Sequence, residues 1–97
     1  MYELYTLKAV RRDLRKITKP AAHQIVHFCF PRIAQDPYKE GISLHGNLRN
    51  YWKYIFKHKG TEYRIIYSIS DKTKEVLVVL VGSREGLYEK LLRRLNK

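Results

Sequence analysis

The chain has 97 residues, 44% of them hydrophobic, which suffices for a single domain (1–97) with one modest core and leaves no need for a second. Twenty Lys and Arg against nine Asp and Glu give a net charge of +11, a field that draws polyanions and opposes the compact state, so a polyanionic ligand or acidic partner is expected. The lone Cys29 excludes an internal disulfide, and no window approaches the roughly 20 apolar residues needed to cross a bilayer, so a cytoplasmic protein with no membrane association is expected.

Tyr2 to Thr6 alternates aromatic and polar residues and predicts a short strand that joins a sheet. From Leu7 the spacing Leu7, Val10, Leu14, Ile17 draws one apolar helical stripe, with Lys8, Arg11, Arg12, Arg15 and Lys16 around the rest. Thr18 is placed to cap a second helix with Pro20 in its first turn; Ala22, Ile25, Val26, Cys29 and Phe30 are its expected buried side. Cys29 then reads as a core residue. Pro31 lacks a backbone donor and crowds the preceding turn, so this helix should end or kink near Phe30 and resume to Gln35, with Asp36-Pro37 closing it. Tyr38 to Asn50 has no steady period and reads as loop.

The second half predicts an antiparallel meander: Trp52 to Lys57, Glu62 to Ser70 and Glu75 to Gly82, with turns at 58–61 and 71–74. Trp52, Tyr54 and Phe56 share a face of the first strand; Tyr63, Ile65, Tyr67 and Ile69 share a face of the second. These faces must align to make a core for the helices, and Val76 to Val81, apolar on both sides, suits a central strand. Leu87, Leu91, Leu92 and Leu95 mark a short basic C-terminal helix. The expected class is therefore α+β: an N-terminal strand, two helices packed on a twisted antiparallel sheet, and the C-terminal helix.

Aligning the aromatic faces puts Lys53, Lys57 and Arg64 together on the opposite side of the hairpin. In the simplest register Lys57 opposes Glu62 and Ile55 opposes Arg64, leaving Lys53 diagonal to Arg64. The third strand ends beside the start of the second, so Arg84 reaches the same patch, and a turn at Gly86 carries Tyr88 toward it. Such a group suits RNA cleavage, in which the 2′-hydroxyl loses a proton, a phosphorane is stabilised and the 5′-oxygen gains a proton. Arginine forks hold phosphate oxygens, and a lysine or tyrosine among cations has its deprotonated form favoured. The bland alternative for the strand cations is a solvated charged face.

Leu44-His45-Gly46, Tyr51-Trp52-Lys53-Tyr54, Glu62-Tyr63-Arg64-Ile65-Ile66-Tyr67, Val81-Gly82-Ser83-Arg84-Glu85 and Tyr88 resemble, in order, the landmarks of RelE/ParE-superfamily toxins. The resemblance spans nearly the whole chain; Tyr-Arg-Ile-Ile-Tyr and Gly-Ser-Arg-Glu are its most specific parts. It implies a RelE-like fold and the toxin of a toxin–antitoxin system, a ribosome-dependent endoribonuclease (mRNA interferase) that cuts mRNA in the A site without metal or cofactor, leaving a cyclic phosphate and a 5′-hydroxyl. The catalytic residues it implies are Lys53, Arg64, Arg84 and Tyr88. Lys57, His45 and Arg49 are assigned to RNA contact.

Where RelE-type relatives have a second lysine two positions on, this chain has Ile55, so the general base is open among Lys53, Lys57 and Tyr88. His45 and His58 are weighed because some relatives use histidines. His23 and His27 sit four apart on a helix but have no accompanying carboxylate or cysteine pattern, so no metal site is expected. The implied partners are the ribosome and mRNA, and a co-expressed antitoxin whose acidic C-terminal segment displaces the terminal helix or buries the cationic face; the toxin would be a monomer when free and part of a hetero-oligomer with its antitoxin. The competing readings are a ParE-like protein that inhibits DNA gyrase without chemistry of its own, and a nucleic-acid-binding structural protein.

Overall fold

The computed structural model describes residues 1–96. In chain order the elements are β1 (Glu3–Thr6), α1 (Lys8–Arg15), α2 (Lys19–Gln24), a π turn (Ile25–Cys29), α3 (Phe30–Gln35), α4 (Pro37–Glu40), β2 (Ile42–Ser43), a 3-10 turn (Gly46–Leu48), β3 (Tyr51–His58), β4 (Thr61–Ser70), β5 (Glu75–Ser83) and α5 (Leu87–Leu95). They form an α+β fold around a five-stranded sheet of order β1-β5-β4-β3-β2.

The meander and its register follow the sequence pattern. Lys57 pairs with Glu62, Ile55 with Arg64 and Lys53 with Ile66. The turn is tight because Lys59 and Gly60 both adopt positive φ (49° and 82°), the conformation a two-residue type I′ hairpin requires. The sheet itself differs from the expected one in two ways. β1 joins β5 in parallel, with Glu3 beside Glu75 and Thr6 beside Val78, because the helices between them carry the chain back across the sheet before β5 is laid down. Ile42 and Ser43, inside the stretch read as loop, pair with Lys53 and Trp52 as a short edge strand, and Pro37–Glu40 forms one helical turn capped by the Asp36 side chain.

Of the two courses expected at Pro31, the helix from Thr18 takes the second: it is distorted ahead of Phe30 and runs on to Gln35. Thr18 caps it through its side chain, and a π turn at Ile25–Cys29 widens the rod just ahead of Pro31, so that the ring fits without breaking the helix. That turn also re-aims the buried side. Ala21, Ile25, Cys29, Phe30 and Ile33 pack inward, whereas Ala22 is only half-buried and Val26, expected in the core, is 39% exposed.

Two apolar clusters cover opposite faces of the sheet. The larger lies between the aromatic face and the helices and includes Val10, Ile25, Cys29, Ile33, Tyr63, Ile65, Tyr67, Val76, Val78 and Val81. Burial pushes the Cys29 thiol up to about 11, consistent with a packing role. The smaller cluster holds Leu44, Ile66, Val79, Leu80, Leu87 and Leu91, so α5 and the loop before β3 sit on the face that carries the strand cations. A bulge in β5 serves both: Ile66 pairs with Leu80 and Tyr67 with Val78, leaving Val79 unpaired.

Beyond Val78, β5 has no strand on its β1 side, and side chains take over the exposed edge. The Asp13 carboxylate, 6% exposed, accepts the Val81 N–H at 3.0 Å. Arg94 on α5 grips both Asp13 oxygens at 2.6 and 2.9 Å and donates to the Val79 carbonyl at 2.9 Å. One charge pair thereby ties α1, β5 and α5 together.

Candidate functional site

The hairpin alternation fixes the site. On β3 and β4 the face turned away from the aromatic core carries, among others, Lys53, Ile55, Lys57, Glu62 and Arg64. At the tip, Lys57, Lys59 and Glu62 from the hairpin, Ser83 at the end of β5, and Arg84 and Glu85 after it line an open cleft of about 550 Å³. Arg84 is held there by its backbone, whose N–H donates to the Glu62 carbonyl at 3.2 Å, while its side chain is exposed.

Arg64 does not stand free among the cations. Its Nε donates to Glu62 Oε2 at 2.9 Å and its Nη2 lies 2.9 Å from the same oxygen as an ion pair, so a single carboxylate engages one edge of the guanidinium and leaves the Nη1 end for another ligand. Glu62 therefore faces Lys57 across the strands, binds Arg64 through its side chain and Arg84 through its backbone. The sequence reading placed Glu62 opposite Lys57 but gave it no role. Its adjacency to Arg64 at an i, i+2 spacing, which puts both side chains on one face, was the available signal.

The remaining predicted residues spread along the same face. Lys53 is half-buried, four residues from Lys57 and thus about 13 Å along the strand. Tyr88 follows Leu87, which packs near Gly82 and in the smaller cluster; its ring is 42% exposed. His45 and Arg49 are exposed at the ends of the 3-10 turn that leads into Tyr51, at the opposite end of β3 from the tip. The structure thus brings together Lys57, Arg64 and Arg84 with Glu62, places Lys53 and Tyr88 on the same side of the sheet, and does not bring His45 or Arg49 to the tip cleft. His58 also lines the tip cleft, though its ring packs 5.7 Å from Phe56 and its Nε2 is buried and, among the described residues, without a hydrogen-bond partner. His23 and His27 stack at 4.2 Å on the helical side.

A strand–helix-pair–meander fold of this kind is that of a class of small bacterial toxins. The chain belongs to the ParE-like toxins of type II bacterial toxin–antitoxin systems, the family whose model matches residues 4–92, and so to the RelE/ParE superfamily. It is similar to Toxin RelE of Mycobacterium tuberculosis, with 23% identity over 87 residues that cover 90% of this chain and 86% of that protein. Among solved structures, the RelBE2 toxin–antitoxin complex of M. tuberculosis matches at a TM-score of 0.73 and 28% identity, covering 86% of this chain and 98% of that one. The isolated RelE toxin of Escherichia coli matches at 0.69 and 23%, over 98% and 99% of the two chains. Among the described residues no helix is long and apolar enough to cross a membrane.

Proposed function

We propose that this toxin is an endoribonuclease that cuts messenger RNA in the decoding site of the ribosome and so stops translation. The observation that carries the reading is the strand register, which puts Lys53, Lys57 and Arg64 on one face and sets Arg84 at the tip beside Lys57. In the scheme this supports, a neutral lysine of that face or the Tyr88 phenolate takes the 2′-hydroxyl proton and the 2′-oxygen attacks phosphorus. The free end of Arg64 and the Arg84 fork meet the charge on the phosphorane. The bond to the 5′-oxygen then breaks as that oxygen takes a proton from a protonated lysine, giving a 2′,3′-cyclic phosphate and a 5′-hydroxyl. The charge is met by the chain's own groups.

The proposed neutralising partner is an antitoxin with an acidic segment, since the similar structures include a RelBE2 complex and opposite charge would speed its docking on a +11 surface. The test is Arg84→Ala assayed on translating ribosomes by mapping mRNA ends. Losing one phosphorane-facing donor should slow cleavage about 100-fold or more while leaving the fold intact. Full activity would sink the scheme. Tyr88→Phe and Tyr88→Ala separate proton transfer from base stacking: equal losses mean the phenol moves a proton, and loss only in Ala means the ring stacks. The ParE-like description of the family favours a second reading, inhibition of DNA gyrase, and a supercoiling assay beside the ribosome assay decides between them.

A further inference from the structure

A second basic groove lies along the uncovered edge of β5, next to the tip cleft. It is formed where α1 ends and α5 passes the uncovered edge of β5, encloses about 450 Å³, and is lined by Asp13, Lys16, Ser83, Lys90, Arg93 and Arg94 among others. Its single carboxylate is already consumed: Asp13 is taken up by the Val81 N–H and by both ends of the Arg94 fork. Lys16, Lys90 and Arg93 are exposed and, among the described residues, have no salt-bridge partner. These three side chains thus line the groove with positive charge that no acid among the described residues neutralises, over a floor held by a bidentate pair.

The groove is not isolated from the tip cleft. Ser83 lines both, so the two basic depressions meet at the end of β5. A linear polyanion with regularly spaced charges, lying across Arg84 and Lys57 at the tip, would continue past Ser83 onto Lys16, Lys90 and Arg93. We infer that the α1–α5 groove is a phosphate-backbone subsite that holds the message strand flanking the segment in the tip cleft. The subsite rests on the reading that RNA occupies the tip, but not on its being cut there. Phosphate contacts of this kind fix register and add affinity without reading bases.

The test uses fluorescent 2′-O-methyl oligouridylates, which lack the attacking hydroxyl and so report binding even if the cleavage scheme fails. A trinucleotide and a dodecanucleotide are titrated with the full chain, with Lys16→Ala/Arg93→Ala, and with the charge-matched control Lys39→Ala/Lys72→Ala, over a series of salt concentrations. For the dodecanucleotide the groove variant should bind about tenfold more weakly, and its log Kd against log salt slope should fall by about 1.4, near 0.7 for each single-strand phosphate lost. The trinucleotide should bind the groove variant as it binds the parent. Equal losses in the control variant would reduce the groove to bulk charge and overturn the inference. So would an unchanged dodecanucleotide slope, including the case in which ribosome association alone weakens and the groove serves ribosomal RNA instead.

Discussion

Replacing Asp13 by alanine should destabilise the protein by about 3 kcal/mol, far more than an ordinary surface carboxylate would. The Val81 N–H, buried at the uncovered edge of β5, loses its acceptor at 3.0 Å, worth roughly 1–2 kcal/mol for an unsatisfied buried donor. Arg94 loses both carboxylate contacts; with its side chain 23% exposed, that adds about 1–2 kcal/mol after solvent screening. Arg94→Ala should cost less, about 1–2 kcal/mol, because Asp13 keeps the Val81 N–H and turns its other oxygen to water. Urea titrations of the parent, both single variants and the double variant give the coupling directly, and for a chain of this size about 3 kcal/mol corresponds to a fall in Tm of roughly 15 °C. Hydrogen exchange should also speed up in α5 before it does in β4. If Asp13→Ala loses less than about 0.5 kcal/mol, the pair does not hold the β5 edge and the account of how α5 is anchored is wrong.

Gly41→Ala should be strongly destabilising, by about 3 kcal/mol, because an added Cβ would lie 2.0 Å from the Tyr67 hydroxyl, itself fixed by donation to the Pro37 carbonyl at 2.7 Å. Tyr67→Phe alone should cost about 1 kcal/mol, and the double variant less than the sum of the two, as thermal melts will read. Asp71 accepts from Tyr38 and Tyr2 at 2.6 and 2.7 Å, and these bonds hold its carboxyl below the ordinary value of 3.8. A depressed carboxyl stabilises the fold above its unfolded value and loses that effect as pH falls through the folded one. The advantage of the parent over Asp71→Asn in urea midpoint should therefore be complete near neutrality and fade in acid below 3.8; a difference that stays constant to pH 2 refutes it. Glu62→Gln, which keeps an acceptor for Arg64 but removes a negative charge, should bind uncleavable RNA more tightly and cut a few-fold more slowly, whereas Glu62→Ala, which frees the guanidinium, should cut about tenfold or more slowly.

The hairpin was legible because two constraints coincide in it. Aromatic alternation on both strands and a Lys59-Gly60 turn each demand the same register, and a one-residue slip would have buried Lys53 and Lys57. The bounds of α5 follow just as directly from its leucine spacing and the left-handed Gly86 before it. What periodicity cannot convey is how elements meet. The Asp13–Arg94 pair joins residues 81 apart, and in the sequence Asp13 is one carboxylate on a basic helix. Val26 was misplaced because a π turn changes the angle per residue, and only the packing around Pro31 selects that turn. The placement of the candidate residues was legible only in part for the same reason. Side-chain alternation put the strand cations on one face, but Arg64's choice of Glu62 over Lys57's company, and the distance of His45 and Arg49 from the tip, depend on contacts and chain path rather than on period.

The bulge at Val79 makes β5 two strands in series. Below it, Glu75–Val78 is flanked on both edges by β1 and β4 and seals the helical core; above it, the strand keeps β4 but exchanges its other neighbour for a charged clasp. Deleting Val79 would leave every pairing intact and straighten the ribbon, yet remove the carbonyl that Arg94 holds. The irregularity therefore partitions the molecule. The cleft and the groove meet on the upper segment at Ser83, beside the small apolar cluster and the clasp that hold α5, while the lower segment closes the larger core.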